Sequence, residues 1–152
     1  MSLIEQVART FPVGQGTCLN YQAIQLRLNQ AASWEQRYRE LLIIAKDVPA
    51  ISNEYRVPEF EVGGCEAKVW ILKYRDDQGV YHFVVDSESR IVKALLLTIL
   101  SAINHQTVAE IKHFDHEICF NELGLSKHVS ASRVNGIAGI VKEMHAFCAQ
   151  SV

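Results

Sequence analysis

The chain has 152 residues and lacks features that define several classes of protein. Its four cysteines form no CxxC pair and no cysteine–histidine pair at the spacing of a structural zinc site. It has no basic tract and a formal charge of -2, which argues against nucleic acid as a partner. The most apolar run, residues 91–103, is interrupted by Lys93 and is too short to span a bilayer.

The N-terminus also lacks the continuous apolar stretch of a secretory signal. These absences predict a cytoplasmic protein with no membrane partner. Apolar residues make up 49% of the chain and charged residues 21%, which is typical of one globular domain over residues 1–152. A domain of this size does not depend on disulfides, so we expect four separate thiols.

The pattern along the chain predicts an α+β fold, in which a small antiparallel β-sheet packs against several α-helices. Residues 1–18, with two glycines and a proline, predict an irregular N-terminal arm. Helical spacing and capping residues predict helices over 21–29, from Ser33 to before Pro49, and over 89–104. They also predict short helices between Thr107 and Leu123 and a last helix that begins after a cap at Ser130 or Ser132. Residues 51–60 read as a connector into a short edge strand, and 68–74 and 80–85 as a β-hairpin.

The segment Gly63-Gly64-Cys65-Glu66-Ala67-Lys68 is the strongest candidate for a functional site. Two glycines precede a single cysteine where a polar loop becomes an apolar strand, so the loop can present or withdraw the thiol. A cysteine acts as a nucleophile in its thiolate form, and Lys68 could help to stabilise that charge. The alternative is a buried structural thiol, the common fate of free cysteine.

The other polar candidates have a structural interpretation first. Asp86 and Ser87 read as caps of the central helix. Arg133 stands near a helix start, where a cation is unfavourable, so we expect it to pair with a carboxylate such as Asp86 or with the thiolate region. Among the remaining thiols we expect Cys119 and Cys148 in the core and Cys18 exposed, and none of the six histidines lies in a recognisable catalytic signature.

Three blocks in order carry a resemblance to a known family. They are Gly64-Cys65 with Val69-Trp70, then Asp86-Ser87 with Ile91-Val92-Lys93 and Leu95, then Ser132-Arg133 with Gly136. Together they resemble the SufE/CsdE family of cysteine desulfuration proteins. Trp34-Glu35 with Tyr38, and Leu123-Gly124-Leu125, extend the likeness over most of the chain. Ala94 and Val134-Asn135 depart from the usual residues of the family, away from the cysteine.

The resemblance implies a sulfur acceptor with a fold related to the IscU-type scaffold. Such proteins take sulfane sulfur from the persulfide of a pyridoxal-phosphate-dependent cysteine desulfurase (SufS/CsdA-like), stimulate that enzyme, and relay sulfur toward a downstream acceptor such as an iron–sulfur scaffold. On this resemblance Cys65 is the acceptor, and Gly64, Glu66, Lys68 and Arg133 are assigned to the substrate-binding surface around it. No cofactor or metal of its own is implied.

Two alternatives stay open at this point. The first is an iron–sulfur cluster scaffold or metallochaperone of the related fold, although Cys65 is the sole cysteine in the equivalent region of the sequence. The second is a binding module with a buried Cys65. Whether a persulfide carrier of this sulfurtransferase-like kind counts as an enzyme is also left open.

Overall fold

The computed structural model describes residues 2–63 and 66–150. Within these residues it contains seven α-helices, four β-strands and two short 3-10 turns, at Asn53–Tyr55 and Pro58–Phe60. The helices are α1 Leu3–Arg9, α2 Tyr21–Asn29, α3 Trp34–Asp47, α4 Arg90–Ile103, α5 Val108–Ile111, α6 His116–Glu122 and α7 Ala131–Gln150. The strands are β1 Glu61–Val62, β2 Val69–Arg75, β3 Val80–Ser87 and β4 Gln106–Thr107. The predicted α+β class is confirmed.

The four strands form one antiparallel sheet in the order β1-β2-β3-β4. Strand β3 is buried on both faces, since every residue from 81 to 87 is buried. Successive side chains of a strand point to opposite faces. Val84 lines a cavity with Leu3 and Val7 of α1, whereas Phe83 packs edge-on against Phe147 of α7. Helices therefore cover both sides of the centre of the sheet.

Helix α4 is the centre of the hydrophobic core, as its sequence predicts. Twelve of its fourteen residues are buried, and the helix contacts both α3 and β3. Its N-cap is Ser89, whose hydroxyl accepts a hydrogen bond from the Val92 N–H at 3.3 Å. The prediction that Asp86 and Ser87 cap this helix was therefore wrong. Both residues belong to the end of β3.

The prediction that the whole N-terminal arm, residues 1–18, is irregular was wrong, because its first part is a helix. Residues Leu3–Arg9 form α1, because Ser2 caps it by accepting from the Glu5 N–H and its apolar side lies on β2 and β3. The irregular part follows α1, where Gly14 has a φ of +135°. A Cβ at Gly14 would approach the Cβ of Asn104 to 2.7 Å, so this close packing requires glycine.

Asn104 and His105 tie this N-terminal segment to the sheet. The buried Asn104 side chain donates to the carbonyls of Val13 and Phe83, each at 2.9 Å, and accepts from the Phe83 N–H at 2.6 Å. A ring nitrogen of His105 lies 2.9 Å from the Phe11 carbonyl, and burial lowers the pKa of His105. Strand β4, which the sequence did not predict, follows His105, whose φ is 61°.

No helix among the described residues is long and apolar enough to cross a membrane.

Candidate functional site

The loop that contains the candidate cysteine connects β1 to β2. Val62 and Val69 pair across the sheet, so residues 63–68 leave and re-enter it at adjacent positions. Gly64 and Cys65 lie outside the described residues, and their predicted roles are therefore argued from the sequence. The described residues of the loop on either side of these two show how the loop is attached to the rest of the fold.

The C-terminal end of this loop is fastened to the end of β3. The Lys68 N–H donates to the Glu88 carboxylate at 3.1 Å, and the Lys68 carbonyl accepts from the Ser87 hydroxyl at 2.7 Å and from the Glu88 N–H at 3.2 Å. All three bonds use the main chain of Lys68, and the residue is exposed. The three bonds leave the Lys68 side chain facing solvent.

Glu66 links the same loop to the start of α7. Its carboxylate accepts a hydrogen bond from the Ser132 hydroxyl, and both residues are exposed. Ser130 caps α7, since its hydroxyl accepts from the Arg133 N–H at 3.3 Å. The fold therefore brings Glu66 to Ser132, the residue before Arg133, although 66 positions of sequence separate the two bonded residues.

Arg133 is half-buried beside an aromatic group. It lines a cavity of about 160 Å³ together with Trp34, whose ring stacks on His128 with the centroids 4.3 Å apart. The Nε atom of Arg133 is buried and has no hydrogen-bond partner among the described residues. A buried donor without a partner is costly, so this Nε atom is available to a ligand or to a part of the loop of residues 63–68. We refer to that loop as the acceptor loop.

The expected pairing of Arg133 with Asp86 was wrong. The Asp86 carboxylate, only 1% exposed, lies 3.7 Å from Arg56 Nε and 3.6 Å from Lys93 Nζ. It also accepts hydrogen bonds from the N–H groups of Ile51 at 3.0 Å and Ser87 at 2.9 Å. Asp86 is therefore the electrostatic centre that joins the connector before β1, the end of β3 and the start of α4.

Neither Arg56 nor Lys93 was predicted from the sequence to lie beside Asp86. Lys93 interrupts the most apolar helix of the chain, and a buried ammonium needs a partner. From the sequence, this need for a partner could have indicated the ion pair between Lys93 and Asp86. Arg56 gave no comparable signal, since it lies in an irregular connector; in the fold its guanidinium lies over the Trp70 ring, 4.4 Å from the centroid. The expectation that Trp70 is a core residue is confirmed, since it is 6% exposed.

The three other cysteines occupy the environments that the sequence predicts. Cys18 is exposed, whereas Cys119 and Cys148 are 3% and 2% exposed. Burial raises the pKa of Cys119 to about 12 and that of Cys148 to about 11. Both are therefore protonated thiols at neutral pH and poor nucleophiles. Within residues 2–63 and 66–150, no cluster of three or more histidine, cysteine or acidic side chains could hold a metal ion.

Comparison with known proteins gives a consistent result. The family model SufE, described as an Fe-S metabolism associated domain, matches residues 22–148. The sulfur acceptor protein CsdE of Escherichia coli (strain K12) is 35% identical over 122 residues, which cover 80% of this chain and 83% of that protein. An uncharacterized SufE-like protein of Haemophilus influenzae is 33% identical over 122 residues, covering 80% of this chain and 97% of that protein.

Proposed function

Because this chain belongs to the SufE family, we propose that it accepts sulfur as a persulfide on Cys65. The donor is the persulfide of a pyridoxal-phosphate-dependent cysteine desulfurase, and the sulfur then passes to a downstream acceptor such as an iron–sulfur scaffold. The observation that carries the proposal is the family match over residues 22–148, which contains the Gly64-Cys65 motif. The exchange requires reduced thiols, which is consistent with the cytoplasmic location expected from the sequence.

The chemical step is a thiol–disulfide type of exchange. The Cys65 thiolate attacks the outer sulfur of the donor persulfide, and the sulfur–sulfur bond of the donor breaks. A new sulfur–sulfur bond forms on Cys65, which now carries the terminal S–H, and the donor cysteine leaves as a thiolate. The rate of such an exchange depends on the thiolate fraction of the attacking cysteine, on the leaving group and on access.

Selectivity for Cys65 over the other thiols follows from burial. Cys119 and Cys148 are enclosed in the core with raised pKa values, so neither competes for the sulfane sulfur. Cys18 is the exposed competitor, and it lies in the N-terminal segment. Cys18→Ser is therefore the matched control for Cys65→Ser, because it makes the same chemical change at the exposed thiol among the described residues.

Glu66, Lys68 and Arg133 are proposed to shape the surface that meets the donor. Lys68 and Arg133 supply positive charge near the attacking thiolate, and the Arg133 Nε atom has no partner among the described residues. Glu66, bonded to Ser132, holds the loop beside α7. If Arg133 stabilises the thiolate, Arg133→Gln raises the pKa of Cys65, and Arg133→Lys restores part of the effect. Alkylation rate against pH measures that pKa, and identical profiles would contradict the role.

Movement of the loop is proposed to be part of the transfer, with Gly63-Gly64 as the hinge. Gly63 does not have a positive φ, and a Cβ added there would meet no atom of the described residues within 4 Å. Gly63→Ala therefore fits the conformation described here. If the variant keeps its thermal stability but transfers sulfur several-fold more slowly, Gly63 is needed in a second conformation. Gly64→Pro is expected to have a stronger effect, and wild-type transfer in both variants would contradict the hinge.

The experiment that tests the function is stimulation of a desulfurase from the same organism. We expect alanine production from L-cysteine to rise when the wild-type chain and a reductant are added. Cys18→Ser should stimulate as well as the wild type, and Cys65→Ser should not stimulate at all. Equal stimulation by Cys65→Ser would show that this chain activates the enzyme without carrying sulfur, and would contradict the proposal.

A further inference from the structure

A cavity of about 340 Å³ lies beside the acceptor loop, between the C-terminal end of α3, the residues that follow it and the start of α4. Four cationic side chains line it, and Asp86 is the one carboxylate among its lining residues. The cations are Lys46, Arg56, Arg90 and Lys93. We refer to this feature as the basic pocket. The whole chain has a formal charge of -2, so the excess of positive charge here is local.

Asp86 carries one negative charge and can offset only one of these four positive charges. Its carboxylate is already committed to two backbone N–H groups, and its ion-pair distances to Arg56 and Lys93 are 3.7 and 3.6 Å. Lys93 is 7% exposed and donates to the Val48 carbonyl at 2.6 Å. The remaining two cations, Lys46 and Arg90, are exposed and form no ion pair with any described residue.

Arg56 has an unsatisfied donor in the floor of the basic pocket. Its Nε atom is buried and has no hydrogen-bond partner within the described part of the chain. Packing on Trp70 holds the plane of the guanidinium in place. A fixed guanidinium with an open donor is suited to a carboxylate, because the N–H groups of arginine match the two carboxylate oxygens.

One residue of β3, Ser87, connects the basic pocket to the acceptor loop. Ser87 lines the pocket, and its hydroxyl donates to the Lys68 carbonyl at the end of the loop. Ser87 also pairs with Val69, the first residue of β2 after the loop. A protein that brings its persulfide to Cys65 must therefore cover the region next to this pocket.

We infer that the basic pocket binds an aspartate or glutamate side chain of the sulfur-donor protein. This inference rests on the proposed function, since it identifies how the donor docks beside Cys65. The carboxylate pairs with the open donor of Arg56 and is surrounded by Lys46 and Arg90. Exposed charges at the edge of an interface mainly increase the association rate and the dependence on salt. The half-buried Arg56, held on the Trp70 ring, then fixes the register of the complex.

The test compares two double variants that make the same change in charge. Lys46→Glu/Arg90→Glu reverses the rim of the basic pocket. Lys112→Glu/Lys142→Glu reverses two exposed lysines on other helices, at the end of α5 and on α7. All four side chains are exposed, so both variants should fold, and thermal unfolding verifies this. The measured quantity is the dissociation constant for the desulfurase at low and high salt, using chains that also carry Cys65→Ser so that no sulfur moves.

We expect the pocket variant to bind at least about tenfold more weakly at low salt and to lose most of the salt dependence. The control variant should bind within about twofold of the parent chain at about 0.1 M salt, where the Debye length is about 10 Å, since neither lysine lines the basic pocket. If both double variants bind like the parent while the wild type accepts sulfur, the docking inference is overturned and the acceptor function stands. If the wild type neither binds a desulfurase nor accepts its sulfur, both are overturned.

Discussion

Replacing Asp86 by asparagine removes the charge of a buried carboxylate that has four polar partners. The carboxylate is 1% exposed and faces Arg56, Lys93 and two backbone N–H groups. The amide keeps one acceptor oxygen but turns its NH2 group toward a second donor. It also leaves the ammonium of Lys93, which is 7% exposed, without its counter-ion.

The magnitude follows from these contacts. Breaking a buried ion pair by removing one partner typically costs about 3–5 kcal/mol. Lys93 keeps its hydrogen bond to the Val48 carbonyl, so we take the lower end, about 3 kcal/mol of unfolding free energy. For a domain of this length, that corresponds to a fall in Tm of about 6–12 °C. A domain of ordinary stability survives this loss.

Urea unfolding measures the loss of unfolding free energy in Asp86→Asn, and two further variants serve as controls. Asp77→Asn removes an exposed carboxylate of the same chemistry and should change stability by less than about 0.5 kcal/mol. Lys93→Met in the Asp86→Asn background removes the stranded ammonium and should restore about half of the loss. If Asp86→Asn lies within about 1 kcal/mol of the wild type, or if the two substitutions simply add, the reasoning about this buried pair is refuted.

Three further results are expected. Asn104→Ala removes three buried hydrogen bonds to Val13 and Phe83 and should cost about 2–4 kcal/mol in urea unfolding; a smaller loss would mean that water replaces the amide. Because burial lowers the pKa of His105, the unfolded chain takes up a proton that the folded chain resists, so stability should fall as pH drops below about 6.5. His105→Asn should weaken that pH dependence in the same assay, and an unchanged slope would contradict it. Gly124→Ala forces a φ of +70° on a residue with a Cβ and pushes that Cβ into the Arg37 guanidinium, which donates to the Gly124 carbonyl; it should cost at least about 1 kcal/mol, seen as a lower Tm.

Local patterns in the sequence predict the local parts of this fold. Helix α2 has the predicted bounds, and α3 begins after Ser33, which caps it by accepting from the Gln36 N–H. The Gln36 side chain in turn accepts from the Ala32 N–H. Gly124 has the positive φ expected after α6. These features depend on residues a few positions apart, which a sequence displays directly.

The features that the sequence did not predict depend on distant contacts. Helix α1 is stabilised by packing on β2 and β3, about 70 residues away, and its short sequence gives little signal alone. Strand β4 has two residues, too few for a periodic pattern, and it is defined by its pairing with Val80 and Tyr81 of β3. The partners of Asp86 lie on two other segments, so a carboxylate next to a helix start was read as a cap.

The candidate site shows the same division. The motif around Cys65 and its order with the Asp86 and Ser132-Arg133 blocks predicts the family, which the comparisons confirm. The bond from Ser132 to Glu66 and the basic pocket could not be predicted, because each joins segments that no local pattern relates.

Intact-mass measurement after incubation with a cysteine desulfurase and L-cysteine tests the central claim most directly. The wild type and Cys18→Ser should each gain about 32 Da, the mass of one sulfur atom, and lose it on addition of a reductant. Cys65→Ser should gain nothing. A reversible adduct of the same size on Cys65→Ser, or none on the wild type with any desulfurase of its organism, would contradict the account of Cys65 as the persulfide carrier.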